Sequence, residues 1–239
     1  EKSILRITGS GSKDWYGNNL KGTPLLTKSY QGIISYQPDE LVITVKSGTS
    51  VKEVEAALAK NNQQFAFEPP HFEDATIGGM VCSGLAGPGR AAVGGLRDFV
   101  LGANIMDGQG QIMNFGGTVM KNVAGYDVSR LLPGSLGTLA LLLDVSIKVL
   151  PKPAASATLQ VNIQQANAIA LINRLASQPW PINASCWIGE SMGILYIRLN
   201  GAKAAVQAAI TAFNKEYGMQ LLTNDEADHF WISIRDQQH

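Results

Sequence analysis

Ala75-Thr76-Ile77-Gly78-Gly79-Met80-Val81-Cys82-Ser83-Gly84 is the stretch on which the reading of the fold turns. Small residues at Gly78, Gly79, Ser83 and Gly84 let main-chain donors reach a flat or anionic ligand without interference from Cβ atoms. Tight packing of a helix against a loop is the competing explanation. The stretch opens a glycine-dense region. Fifteen of the 25 glycines fall within residues 78–137, where an even spread would put about six. Two further glycine loops follow, Gly87-Pro88-Gly89-Arg90 and Gly94-Gly95, and an earlier one, Gly9-Ser10-Gly11-Ser12-Lys13, ends a strand-like run at residues 4–8. Several such loops in one non-repetitive chain suggest an extended ligand laid along backbone.

Working outward, residues 33–36 and 41–45 read as strands split by Pro38-Asp39. Ser50 with Glu53 three residues later has the form of a capping box, opening a helix that runs to Lys60. Strand-like pieces at residues 99–106 and 111–115 are joined by the turn Asp107-Gly108-Gln109-Gly110, and a long buried strand spans 139–149. Pro151-Lys152-Pro153 is the best boundary. Beyond it only four glycines occur, and strand, helix, hairpin, helix and strand succeed one another, with a last helix at 225–234. That β-α-β-β-α-β order is ferredoxin-like.

Lys and Arg total 19 against 19 Asp and Glu, so no net charge favours nucleic acid or an anionic membrane as main partner. The most apolar window, residues 131–150, is interrupted by Pro133, Gly134, Asp144 and Lys148 and does not read as a membrane span. Two distant cysteines, Cys82 and Cys186, and three histidines argue against a disulfide framework or a metal centre. The expected setting is a reducing, cytoplasmic one.

The candidate residues each carry two readings. The Gly9 loop is an anion nest or a turn, and it lacks the helix and third glycine of a Rossmann fingerprint. Arg90 and Arg97 suit a pyrophosphate, or pair in solvent, with Asp98 holding Arg97. His71, after Pro69-Pro70, is a structural imidazole or a base. Cys82 reads as a buried filler, since no histidine lies close in sequence to activate it. Tyr126-Asp127 meets a ligand or anchors a turn.

In order and spacing, these motifs resemble flavoproteins of the vanillyl-alcohol oxidase and p-cresol methylhydroxylase type. The motifs are Gly9-Ser10-Gly11-Ser12-Lys13, Glu68-Pro69-Pro70-His71-Phe72, Ala75-Thr76-Ile77-Gly78-Gly79 and Gly94-Gly95-Leu96-Arg97-Asp98-Phe99-Val100-Leu101-Gly102. Lys121-Asn122-Val123-Ala124-Gly125-Tyr126-Asp127 with Gly134-Ser135-Leu136-Gly137-Thr138-Leu139 is similar to the FAD-binding subunits of bacterial glycolate oxidases. Phe230-Trp231-Ile232-Ser233-Ile234-Arg235-Asp236 extends that similarity to the end of the chain.

The resemblance implies an α+β protein: a two-subdomain FAD-binding domain over residues 1–153, divided near 46–75, then a ferredoxin-like cap over 154–239 that is incomplete. It implies residues 9–13 on the pyrophosphate, Thr76, Ile77, Gly78, Gly79, Ser83 and Gly84 along flavin and ribityl chain, and the segment around Gly137 and Leu139–Leu142 near the adenine side, with Pro70 also a cofactor-binding candidate. Gly87, Arg90, Gly94 and Asp98 complete the candidate cofactor set. Ser12 and Lys13 stand where many relatives carry the histidine that links flavin covalently, so non-covalent FAD is expected. The implied activity is oxidation of glycolate to glyoxylate within a complex. Its other members would be a homologous flavin subunit and an iron–sulfur subunit, through which alone it would meet the inner membrane face. A non-catalytic scaffold, or a self-contained oxidase of another small hydroxy acid or alcohol, are the alternatives. No catalytic base and no metal ligand are assigned.

Overall fold

The computed structural model of the chain describes residues 3–118 and 127–238. The first elements are β1 (Leu5–Thr8), β2 (Thr23–Leu26), β3 (Ile33–Gln37), β4 (Val42–Lys46), α1 (Val51–Ala59), β5 (Gln63–Gln64) and α2 (Ile77–Ser83). A short α3 (Arg90–Val93) precedes β6 (Val100–Met106), β7 (Ile112–Gly116), β8 (Leu141–Lys148) and β9 (Leu150–Pro151). Then come β10 (Ala155–Gln164), α4 (Gln165–Ala176), β11 (Ile182–Gly189), β12 (Met192–Gly201), α5 (Lys203–Tyr217), β13 (Gln220–Leu221) and α6 (Asn224–Arg235). Two compact units result. One is built from Glu1–Ala86 and Gly94–Pro151, the other from Gly87–Val93 and Lys152–His239.

The first unit centres on an antiparallel sheet ordered β3-β4-β8-β6-β7. Alternation gives it two unlike faces. Ile43 and Val45 of β4 stand opposite Ile147 and Val145 of β8, all fully buried on one face. The other face is a polar ladder. Thr44 Oγ1 meets Ser146 Oγ at 2.9 Å, Asn104 Nδ2 donates to Asp144 Oδ1 at 2.8 Å, and Asn114 Nδ2 donates to Asn104 Oδ1 at 2.7 Å. Val51, Val54 and Leu58 recur at helical spacing and bury one side of α1. The separate β1–β2 pair is parallel, joined through the irregular residues 9–22.

Asp144 is buried, and burial raises its carboxyl above the usual carboxylate range, opposed by the Asn104 hydrogen bond and the Lys46 charge. The folded state therefore holds this proton more tightly than the unfolded chain. Its contribution is favourable at low pH and is lost as pH rises through the raised folded pKa. Asp144→Asn is expected to remove that dependence. In urea titrations, the variant should gain stability relative to wild type as pH rises above the ordinary carboxylate range of about 4. A constant difference as pH rises would refute the assignment.

The second unit has sheet order β11-β12-β10-β13, the ferredoxin-like arrangement. Leu159, Leu195, Ile197 and Leu199 face Ala168, Leu171 and Leu175 of α4 and Val206, Ala209 and Phe213 of α5. α6 packs on the opposite face. Its Trp231 Nε1 donates to Thr158 Oγ1 at 2.9 Å, and Phe230 stacks on Tyr196 at 3.8 Å. Arg198, buried beside them, places its guanidinium 4.9 Å from the Trp231 ring and donates through Nε to Asn183 Oδ1 at 2.7 Å.

Three local expectations need correction. Ser50 makes no side-chain cap: it bridges Thr76, and Ala75 O accepts the Val51 N–H at 2.9 Å, so a tertiary partner replaces the local box. The stretch from Ile77 to Ser83 is a helix despite Gly78-Gly79, because surrounding carbonyls receive its first amides. Gly87–Val93 packs within the second unit through α3 and β11.

Candidate functional site

β1 ends at Thr8, and the chain turns through Gly9 onto the start of α2. A Cβ on Gly9 would stand 2.4 Å from Thr76 Oγ1, so only glycine permits this approach. Thr76 is the N-cap of α2, its Oγ1 accepting from Gly79 N at 3.2 Å. The other early amides of α2 are also engaged. Ile77 N donates to Thr49 O at 2.8 Å, Gly78 N to Ser47 O at 2.7 Å, and Met80 N to Thr76 O at 2.8 Å. α2 therefore offers no free donor in its first turn.

The loop itself differs. Gly11 adopts φ +77°, and Asp14 N returns to Gly11 O at 3.1 Å. Among the described residues, the amides of Ser10, Gly11, Ser12 and Lys13 donate to no protein acceptor. Consecutive unengaged N–H groups around a left-handed residue form an anion-binding concavity. Lys13, the last residue of this row, is half-buried, with its Nζ 5.5 Å from the centre of the Phe72 ring. Burial lowers the Lys13 pKa below the usual lysine range.

Beside this loop is a cleft of about 80 Å³ lined by Ile7, Gly9, Thr27, Ser47, Gly78, Gly79, Cys82, Leu136, Gly137, Ala140, Leu141 and Leu142. It is smaller than the roughly 300–1,000 Å³ of ligand pockets. Cys82 alone among these lining residues is ionisable. Burial pushes its thiol up, against hydrogen bonds to the Ser135 side chain and Gly137 backbone, which keeps it protonated at neutral pH. The segment from Pro133 sits on α2, with Gly134 N donating to Val81 O at 3.2 Å and Leu136 N to Cys82 O at 2.8 Å.

A family model described as an FAD binding domain matches residues 2–129. The chain belongs to the FAD-binding domain family. It is 45% identical over its whole length to glycolate oxidase subunit GlcE of Escherichia coli strain K12, covering 65% of that protein. It is 31% identical over 62% of its length to glycolate oxidase subunit GlcD of Bacillus subtilis strain 168, covering 32% of that protein. A D-lactate dehydrogenase of Archaeoglobus fulgidus is 34% identical over 64% of the chain and is covered over 34% of its own length. The chain thus spans less than two thirds of these relatives. In fold it is similar to alkyldihydroxyacetonephosphate synthase, with TM-score 0.76 and 14% identity over 98% of this chain and 50% of the other. The structure described as wild-type Phl p 4.0202, a glucose dehydrogenase, gives TM-score 0.68 at 16% identity, over 98% of this chain and 49% of the other. The α+β flavoprotein fold implied by the sequence resemblance is the fold observed.

The expected site residues divide. Gly9, Gly78, Gly79, Gly137 and Leu142 line the cleft, residues 10–13 lead from its edge, and Thr76 and Ile77 set α2 beneath it. Ser83 is buried and donates to Met80 O at 3.1 Å, while Gly84 caps the end of α2. Pro70 is buried away from the lining. Asp98 accepts from Gly95 N at 2.9 Å, next to Gly94, a local turn in place of the expected hold on Arg97. Gly87 and Arg90 belong to the second unit. His71 Nε2 lies 2.7 Å from Glu55 Oε2 of α1, the structural alternative for that imidazole. Lys121-Asn122 and Tyr126 lie outside the described residues. The lining residues Thr27 and Ser47 were not singled out in the sequence. A signal existed at Ser47-Gly48, small residues directly after a strand.

Proposed function

We propose that this chain is the FAD-binding part of a subunit of a glycolate-oxidising complex, holding FAD without a covalent bond. The observation that carries the reading is the row of unengaged amides at residues 10–13, beside a cleft in a chain 45% identical to an Escherichia coli glycolate oxidase subunit. The donor set fits the cofactor. An FAD diphosphate needs several N–H donors and a positive charge, and the loop supplies both. The apolar side chains of Ile7, Leu136, Leu141 and Leu142 suit the flat face of a ring. No histidine stands in the loop to form a covalent link.

Bound FAD would supply the two-electron acceptor for oxidation of a 2-hydroxy acid. The residues of this chain bind and orient it. Among the described residues that line the cleft, the ionisable group is a thiol kept neutral by burial. In this reading substrate chemistry is assigned to a homologous flavin subunit in the same assembly, with an iron–sulfur subunit completing the electron path. Among the described residues no helix is long and apolar enough to cross a membrane.

The test is purification of the full-length protein alone and with its partners. Flavin absorbance is expected with the native protein and in the filtrate after denaturation. Yellow colour that stays with the denatured polypeptide rejects non-covalent binding. Absence of flavin while the partner keeps its own favours the scaffold alternative. Glycolate turnover is expected only on reconstitution, and turnover by the isolated subunit would support a self-contained oxidase.

A further inference from the structure

We propose that the second unit carries a small-molecule site of its own, which takes a monocarboxylate with an apolar body. The site is a cavity of about 270 Å³, close to the lower end of the roughly 300–1,000 Å³ of ligand pockets. Every residue that lines it belongs to the second unit, so the proposal does not depend on the flavin reading.

The depth of the cavity is apolar. Leu175 of α4, Ala184 of β11 and Ile197 of β12 give it a buried floor. One wall is the Trp180 ring, set edge-on to Phe213 at 5.2 Å, with its Nε1 donating to Gln178 Oε1 at 2.6 Å. Ala91 and Ala92 complete the lining from α3, which packs on β11, and their short side chains leave the volume open. The loop at residues 87–90 leads into α3 and lines no part of the cleft beside Gly9.

The rim is polar and unevenly satisfied. Gln178 and Ser185 are exposed there, and the β-bulge between Ile182 and Ala184 adds Asn183 to the lining. Both amide oxygens are already engaged, Gln178 Oε1 by Trp180 and Asn183 Oδ1 by Arg198 Nε at 2.7 Å. Among the described residues, Gln178 Nε2, Asn183 Nδ2 and Ser185 Oγ have no hydrogen-bond partner. What remains is two amide donors and a hydroxyl, which match a ligand rich in acceptors. Charge selects among acceptors. No carboxylate lines the cavity among the described residues, and Arg90, next to Ala91, is exposed and forms no ion pair there. A carboxylate takes two donors at once and meets that cation, while its place at the rim keeps it hydrated. The apolar body fills the floor and releases water from it.

The test titrates phenylacetate, benzyl alcohol and acetate by calorimetry into the full-length, flavin-loaded protein. Phenylacetate should bind with a Kd below about 1 mM. Benzyl alcohol lacks the charge and acetate the ring, and each should bind at least about tenfold more weakly. Ala92→Leu fills the cavity from an exposed helix and should abolish phenylacetate binding with melting temperature and flavin spectrum unchanged. Arg90→Gln should weaken phenylacetate by about two- to fivefold, the range of an exposed charge pair, and leave benzyl alcohol unchanged. Phenylacetate should also quench tryptophan emission in wild type and not in Trp180→Phe, which locates the site without relying on the filled variant.

Equal binding of phenylacetate to wild type and Ala92→Leu overturns the proposal, as does benzyl alcohol binding as tightly as phenylacetate. No saturation by about 10 mM phenylacetate overturns it as well. Binding that disappears when the partner subunits are added overturns it in favour of a subunit contact at this face.

Discussion

Gly48→Ala is expected to lower stability by about 1–3 kcal/mol and to loosen flavin retention in the same variant. A Cβ at this position would stand 2.2 Å from Thr27 O, 2.6 Å from Tyr30 O and 3.0 Å from Lys28 O. All three are main-chain oxygens, so no side chain can swing aside. Nor are they free to drift. Gly48 N donates to Tyr30 O at 2.9 Å, and Thr27 N donates to Thr8 O at 3.0 Å, the residue immediately before the Gly9 loop. Room for a methyl group requires the turn at residues 27–30, tied to Thr8 through the Thr27 N–H, to move away from the end of β4, and that displacement is expected to reach the Gly9 loop. If the whole cost appears in ligand binding, FAD affinity falls by about ten- to a hundredfold, since each 1.4 kcal/mol is a factor of ten. Urea titration and FAD titration of the same preparation divide the cost between fold and site. A variant unchanged in both would show that this junction is not tight.

Phe67→Ala is expected to have the larger effect on stability, about 3–5 kcal/mol. Phe67 is fully buried, with its ring centre 5.2 Å from Phe65 and 5.3 Å from Phe99. Truncation removes the middle ring of three and leaves a cavity that two flanking rings cannot both fill. The loss falls on the first unit. Hydrogen exchange should therefore report weaker protection in β4 and β8, while β10 and β12 keep theirs. A cost below about 1 kcal/mol, or equal loss of protection in both sets of strands, would count against this placement of the core.

What was legible in the sequence was local. The alternation at residues 158–163 and the helical spacing of Val206, Ile210 and Phe213 gave the second unit because each pattern is contained within one element. The Gly9 loop was legible for the same reason, its donors being successive in the chain. The rest required partners distant in sequence. Gly78-Gly79 weakens a helix by intrinsic preference, yet α2 forms because Ser47 and Thr49 carbonyls and the Thr76 hydroxyl meet its amides. Ser50 and Glu53 carry the letters of a cap, but Ala75 supplies the acceptor. β2 contains Pro24 and reads as loop; it is tolerated because it pairs with β1 at an edge. Thr27, Ser47 and Leu136 reach the cleft from three separate segments, and no window of sequence contains them together.

The assignment of Gly87–Val93 to the second unit bears on how this protein could be taken apart. Neither unit is an uninterrupted piece of gene, because the chain passes from one to the other after Ala86, back after Val93, and across again after Pro151. Truncation at the proline-rich boundary would leave α3 in the first half with the β11 surface it covers removed, and would uncover that surface on the other half. A cut or fusion that preserved both units would have to respect three junctions at once.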